Sequence, residues 1–142
     1  MFTRILAATV AGGITIFIYG FVVWGLFLEN MMRPHMNTFP GLMNEMPVWA
    51  PLVLANLVNA FYLALIFDRW AGIRTFAGGA QAGAIIMFLV SLSTQLMFLA
   101  FMNIHKDYVP VVVDLIATAV MGAVAGGGGW WIVTRHVLPH LY

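Results

Sequence analysis

Four apolar runs, each long enough to cross a bilayer, occupy nearly all of this 142-residue chain. They cover residues 5–28, 48–67, 76–102 and 111–134. About 20 apolar residues in a helix match the roughly 30 Å hydrocarbon core of a membrane. In lipid the backbone polar groups must be satisfied within each segment, so runs of this kind predict helices. The expected fold class is all-α: an integral membrane four-transmembrane-helix bundle, with residues 1–142 as a single membrane domain. Composition agrees, with 63% hydrophobic and 8% charged residues and a mean hydropathy of +0.96. So few polar residues cannot cover the outside of a water-soluble core. The bilayer is therefore the first expected partner.

The same composition excludes several function classes. A net charge of +1 with no Lys/Arg-rich run gives no face for nucleic acid. The chain has no cysteine, which removes thiolate metal sites and thiol chemistry. No phosphate loop, dinucleotide fingerprint, nucleophile elbow or zinc-protease signature occurs. The first run is longer than the apolar region of a signal peptide and is followed by Glu29, Asn30 and Arg33 without a small-residue cleavage site. It is read as a retained helix.

Orientation follows from the short-loop basic residues. Arg4, Arg69, Arg74 and Arg135 fall on the side of the termini, and Arg33 and Lys106 on the other. The bias predicts cytoplasmic termini and a bacterial inner-membrane location. Trp70, Trp130 and Trp131 then anchor one interface, and Trp24, Trp49 and Tyr108 the other.

Small residues recur at four-residue spacing: Gly79 with Gly83, Gly122 with Gly126, and Ala8 with Gly12. Close backbone approach is a main source of helix association in lipid, where burial of apolar surface supplies little. On the fourth run Thr118, Gly122 and Gly126 make one stripe, and Ala119, Ala123 and Gly127 an adjacent one, enough for two neighbours. Residues 126–129 are four consecutive glycines, each costing roughly 0.8–1.0 kcal/mol against alanine in a helix. They predict a thin helix end packed against bulky neighbours, with a hinge as the alternative. Residues 11–13 and 77–79 (both Ala-Gly-Gly) hint at two parallel helix-pair repeats.

Asp114 is the most pointed residue. It falls about one turn inside the fourth run, where a bare carboxylate is costly unless paired or wetted. Asn56, Asn59 and Gln95 join it in the expected intramembrane polar cluster, with Ser91 and Thr94 as further candidates. The cluster reads as a structural pin or as a relay for protons or a solute. The segment between the first two runs carries five of the ten methionines. Met32, His35 and Met36 would share one face if that segment were helical, and thioether with imidazole suits Cu(I). The competing reading is an amphipathic segment whose methionines pack against membrane or partner, and no cofactor is expected on that reading. The histidines, His35, His105, His136 and His140, fall outside the runs, which disfavours an intramembrane haem pair. Nothing in the spacing of Glu29, His35, His105 and Asp107 supports an acid–base site.

Two segments carry a family resemblance. Gly20-Phe21-Val22-Val23-Trp24-Gly25-Leu26-Phe27 and Asp114 followed by Val120-Met121-Gly122-Ala123-Val124 resemble the first and last helices of a family of small bacterial four-helix membrane proteins of unknown function. The chain departs from that pattern at Ala117-Thr118, where the family places an aromatic-His pair. The resemblance implies a four-span architecture and no activity. The expectation is therefore a non-enzymatic accessory subunit that associates with other membrane helices. The alternative is a small oligomeric transporter or channel using Asp114 and the polar residues of the second and third runs.

Overall fold

A computed structural model describes residues 2–129 and 135, with Trp70 described by its backbone only. Trp130, Trp131, His136, His140 and the expected end of the fourth span lie outside the described residues, as does the Trp70 side chain. The described chain is all-helical, with four helices long and apolar enough to cross a membrane: Phe2–His35, Trp49–Arg69, Phe76–Phe101 and Val109–Gly129.

The first helix runs past its apolar stretch. It is α-helical over Phe2–Gly20, widens into π turns over Phe21–Leu28, returns to α over Glu29–Met32 and ends as a 3-10 turn at Arg33–His35. Hydropathy falls at Glu29, but nothing there breaks a helix. Arg33 Nη2 donates to Glu29 Oε1 across one turn at 2.7 Å, which supports helix. Pro34 then brings the regular helix to its end. Met36 has left the helix, with extended backbone at φ −116°, ψ 145°. The expectation that Met32, His35 and Met36 share a helical face is thus corrected.

The remaining boundaries follow local chemistry. The second helix stops at Gly72, whose φ of 58° is the left-handed cap that glycine adopts without strain. The third starts at Thr75, whose hydroxyl oxygen accepts from the Gly78 amide at 3.1 Å. The fourth carries Pro110 in its first turn, where the missing amide costs nothing.

Packing joins the first helix to the second and the third to the fourth. In the first pair, a methyl group placed on Gly12 would lie 3.1 Å from the Ala60 Cβ, and one on Gly13 2.8 Å from a Leu57 methyl carbon. In the second pair, every buried residue of the third helix sits on one four-residue stripe: Gly79, Gly83, Met87, Ser91 and Gln95. It faces Asp114, Thr118, Gly122 and Gly126 of the antiparallel fourth helix. A methyl group on Gly83 would collide with the Gly122 carbonyl oxygen, and one on Gly79 with that of Gly126. The two backbones therefore touch, as only glycine permits.

The two pairs meet near the end that carries the N-terminus and the short connection between the second and third helices. Ile5, Ala8, Ala60, Ala64, Phe67 and Ala125 belong to the core there, with Phe67 only 1% exposed. The fourth helix meets the first through Ala117, Met121, Ala125 and Gly129, all buried. In the predicted second stripe Ala119 and Ala123 are half-buried and Gly127 is buried. Of the four consecutive glycines, Gly126 abuts Gly79 and Phe67, Gly127 abuts Ala80 and Phe76, and Gly129 lies against Gly12. The stretch stays helical in π turns, so it is a close-contact surface. Arg4 and Asp68 bridge the first and second helices at 3.5 Å, with side chains 15% and 5% exposed. Tyr19 Oη donates to the Ala117 carbonyl at 2.9 Å, and Tyr62 Oη to Met87 Sδ at 2.7 Å. These two bonds tie the hairpins together at the margin of the core.

Candidate functional site

The stripe that carries the glycine contact continues into the polar cluster. One turn beyond Met87 comes Ser91, and one turn further Gln95, on the same face. Antiparallel register sets both against Asp114. Ser91 Oγ donates to Asp114 Oδ2 at 2.7 Å, and Gln95 Nε2 donates to the same oxygen at 2.9 Å. Ser91 is 7% and Gln95 9% exposed, and Asp114 is half-buried. Both neighbours are neutral. Among the described residues no Arg, Lys or His lies within ion-pair distance of Asp114. Gln95 Oε1 is buried and accepts no hydrogen bond from the described residues.

Three expected members stand apart. Asn56 donates its amide to Leu52 O of its own helix at 2.8 Å and borders a groove with Gly13, Phe17 and Leu57. Asn59 is half-buried, and its side chain makes no hydrogen bond with a described residue. Thr94 is exposed and bonds back to Val90 O at 2.9 Å. For Asn56 the reason is topological: the second helix packs on the first, and Asn56 lies beside Gly13 and Phe17 of that helix. The cluster is Asp114, Ser91 and Gln95.

A second polar assembly joins the two connections at the opposite end of the molecule from the core. The long first helix delivers His35 beside the connection between the third and fourth helices. His35 Nδ1 lies 2.7 Å from Asp107 Oδ2. The Asn37 amide donates to Ile104 O and the Lys106 amide to His35 O, each at 2.8 Å, around a single antiparallel bridge between Met36 and His105. Asn37 Nδ2 donates to Asn103 O at 2.9 Å. The hydrogen bond with His35 holds the Asp107 carboxyl below its ordinary range, helped by the Val109 amide that donates to Asp107 Oδ1. His105 Nδ1 is buried without a partner among the described residues. Glu29 is engaged with Arg33, so of the four acid–base candidates the fold brings together only His35 and Asp107. Their sequence separation of 72 residues left no local signal.

The clasp is a loop fastener: main-chain pairing with one His–Asp hydrogen bond over it. Among the described residues no group of three or more His, Asp or Glu side chains gathers to hold a metal ion. The Asp114 cluster has different chemistry. It offers an acidic oxygen, a hydroxyl and an amide, a set that suits register-setting or cation binding. Comparison with protein-family models, characterised proteins and solved structures found no match.

Proposed function

We propose that this chain is an integral inner-membrane protein with cytoplasmic termini, acting as a non-enzymatic accessory subunit that associates with other membrane helices. The observation that carries the reading is how little of the apolar surface the fold uses. Only 17% of the third helix's most apolar window and 22% of the second's is buried within the chain. Phe88, Leu89, Val90, Leu96 and Met97 point outward from the third helix. Surface of that extent suits lipid and neighbouring helices as its solvent. The first helix supports association more specifically. Gly20 and Gly25 lie in and beside its π-helical stretch, and a methyl group on Gly20 would meet nothing within 4 Å. These glycines are left over from internal packing and leave a thin place for another helix. The reading calls for no cofactor.

Purification from native membranes in mild detergent tests it. The chain should elute with a larger membrane complex in fixed ratio. A homogeneous assembly of this chain alone, with solute flux in liposomes abolished by Asp114→Asn, would replace the accessory role with transport.

A further inference from the structure

We propose that Asp114, Ser91 and Gln95 form a binding site for one monovalent cation, a proton or Na⁺, inside the membrane. The cluster is one positive charge short. Asp114 sits five residues into the fourth helix, which is about 7.5 Å of rise. Both hydrogen bonds it receives converge on Oδ2 and come from neutral donors. A carboxylate in hydrocarbon without a compensating charge costs several kcal/mol. On the first helix Arg4 pairs with Asp68 and Arg33 with Glu29, His35 hydrogen-bonds Asp107, and Lys106 of the connection before the fourth helix makes no ion pair with Asp114 among the described residues. The titratable group of the first helix that reaches the fourth is Tyr19, and its hydroxyl is spent on Ala117 O.

An independent deficit lies beside the first. Gln95 Oε1 is a buried acceptor with no donor among the described residues, on a side chain only 9% exposed. Leaving such a group unmet costs about 1–3 kcal/mol. One small cation supplies the missing charge beside that amide. A proton on Asp114 Oδ2 lies within hydrogen-bond reach of the Gln95 amide. Na⁺ takes the same three groups as oxygen ligands, which suit a hard cation.

The site rests on the membrane placement proposed above and not on the accessory role. Its test uses the full chain in phosphatidylcholine vesicles with a bilayer-permeant hydrophobic carbodiimide, which adds to neutral carboxyl groups. Adducts are mapped by mass spectrometry at neutral pH in choline chloride and in sodium chloride. Asp114 should react severalfold faster than exposed Glu45. Equal labelling in both salts identifies the occupant as a proton, and severalfold suppression by sodium identifies Na⁺. Labelling of Asp114 no faster than Glu45 in either salt overturns the site. So does fast labelling in vesicles that vanishes in native membranes, because the missing charge then comes from a partner chain. A chain that stays dispersed in buffer without detergent fails on membrane placement, which is a separate result.

Discussion

Glycine at positions 83 and 122 is required by what stands opposite it. A methyl group on Gly122 would lie 2.7 Å from the Gly83 carbonyl carbon, and neither backbone can rotate away as a side chain could. Gly83→Ala or Gly122→Ala should therefore lower stability by about 1–3 kcal/mol, the usual cost of forcing extra atoms into a packed contact. Gly128 belongs to the same glycine-rich end, yet a methyl group there meets nothing within 4 Å. Gly128→Ala should be neutral or stabilising by up to about 1 kcal/mol, since only helix propensity changes. Unfolding titrations in mild detergent check the contrast, and equal effects at positions 83 and 128 would refute it. Asp107 makes a pH-dependent prediction. Its carboxyl is held below the ordinary range in the folded state by His35, so the clasp gains from ionised Asp107 above about pH 4 and loses that gain as pH falls through the lowered value. Amide hydrogen exchange at Asn37 and Lys106 should accelerate over that acid interval, and at neutral pH in Asp107→Asn. Exchange indifferent to both changes would show that main-chain pairing alone holds the loops.

At the scale of elements, the third and fourth helices are bound by one continuous stripe on each. Residues four apart lie on the same face, so 79, 83, 87, 91 and 95 face 114, 118, 122 and 126 in a single antiparallel register. Glycine contacts hold one end and the Asp114 hydrogen bonds the other, which fixes the sliding position of the pair. The first and second helices use a different fastener, the Arg4–Asp68 ion pair over alanine and glycine contacts. Both side chains are largely buried, so removing the carboxylate leaves a desolvated guanidinium without it. Asp68→Leu should cost about 3 kcal/mol. A loss within the about 0–1 kcal/mol of exposed ion pairs would show that water reaches the bridge. The first helix adds reach: 34 residues give about 51 Å at helical rise, enough to pass the apolar layer and present His35 to the far connection.

For the whole molecule, the helices are joined in two hairpins that share a core near one end and a loop clasp at the other. Between these ties the second and third helices turn most of their apolar surface outward. The four helices were legible because each one is written locally, in an uninterrupted apolar run with breakers at Pro34, Gly72 and Pro110. The small-residue stripes were legible for the same reason, since four-residue spacing puts Gly79 with Gly83 and Gly122 with Gly126 on one face before any partner is known. Residue types also marked Asp114 as a group in need of donors. Which donors it obtains was not legible. Asn56 has suitable chemistry and depth, and the pairing of the second helix with the first turns it toward Gly13 and Phe17 instead. The clasp between residues 35 and 107 and the bridge between residues 4 and 68 were equally hidden, because nothing local records that distant segments will meet. Chain chemistry alone decides which segments become helices and which faces are thin or polar, through backbone hydrogen bonding and hydropathy within each segment. The tertiary structure decides which faces meet, because that choice rests on contacts between residues far apart in the chain, where shape and register select one arrangement among several of similar polarity.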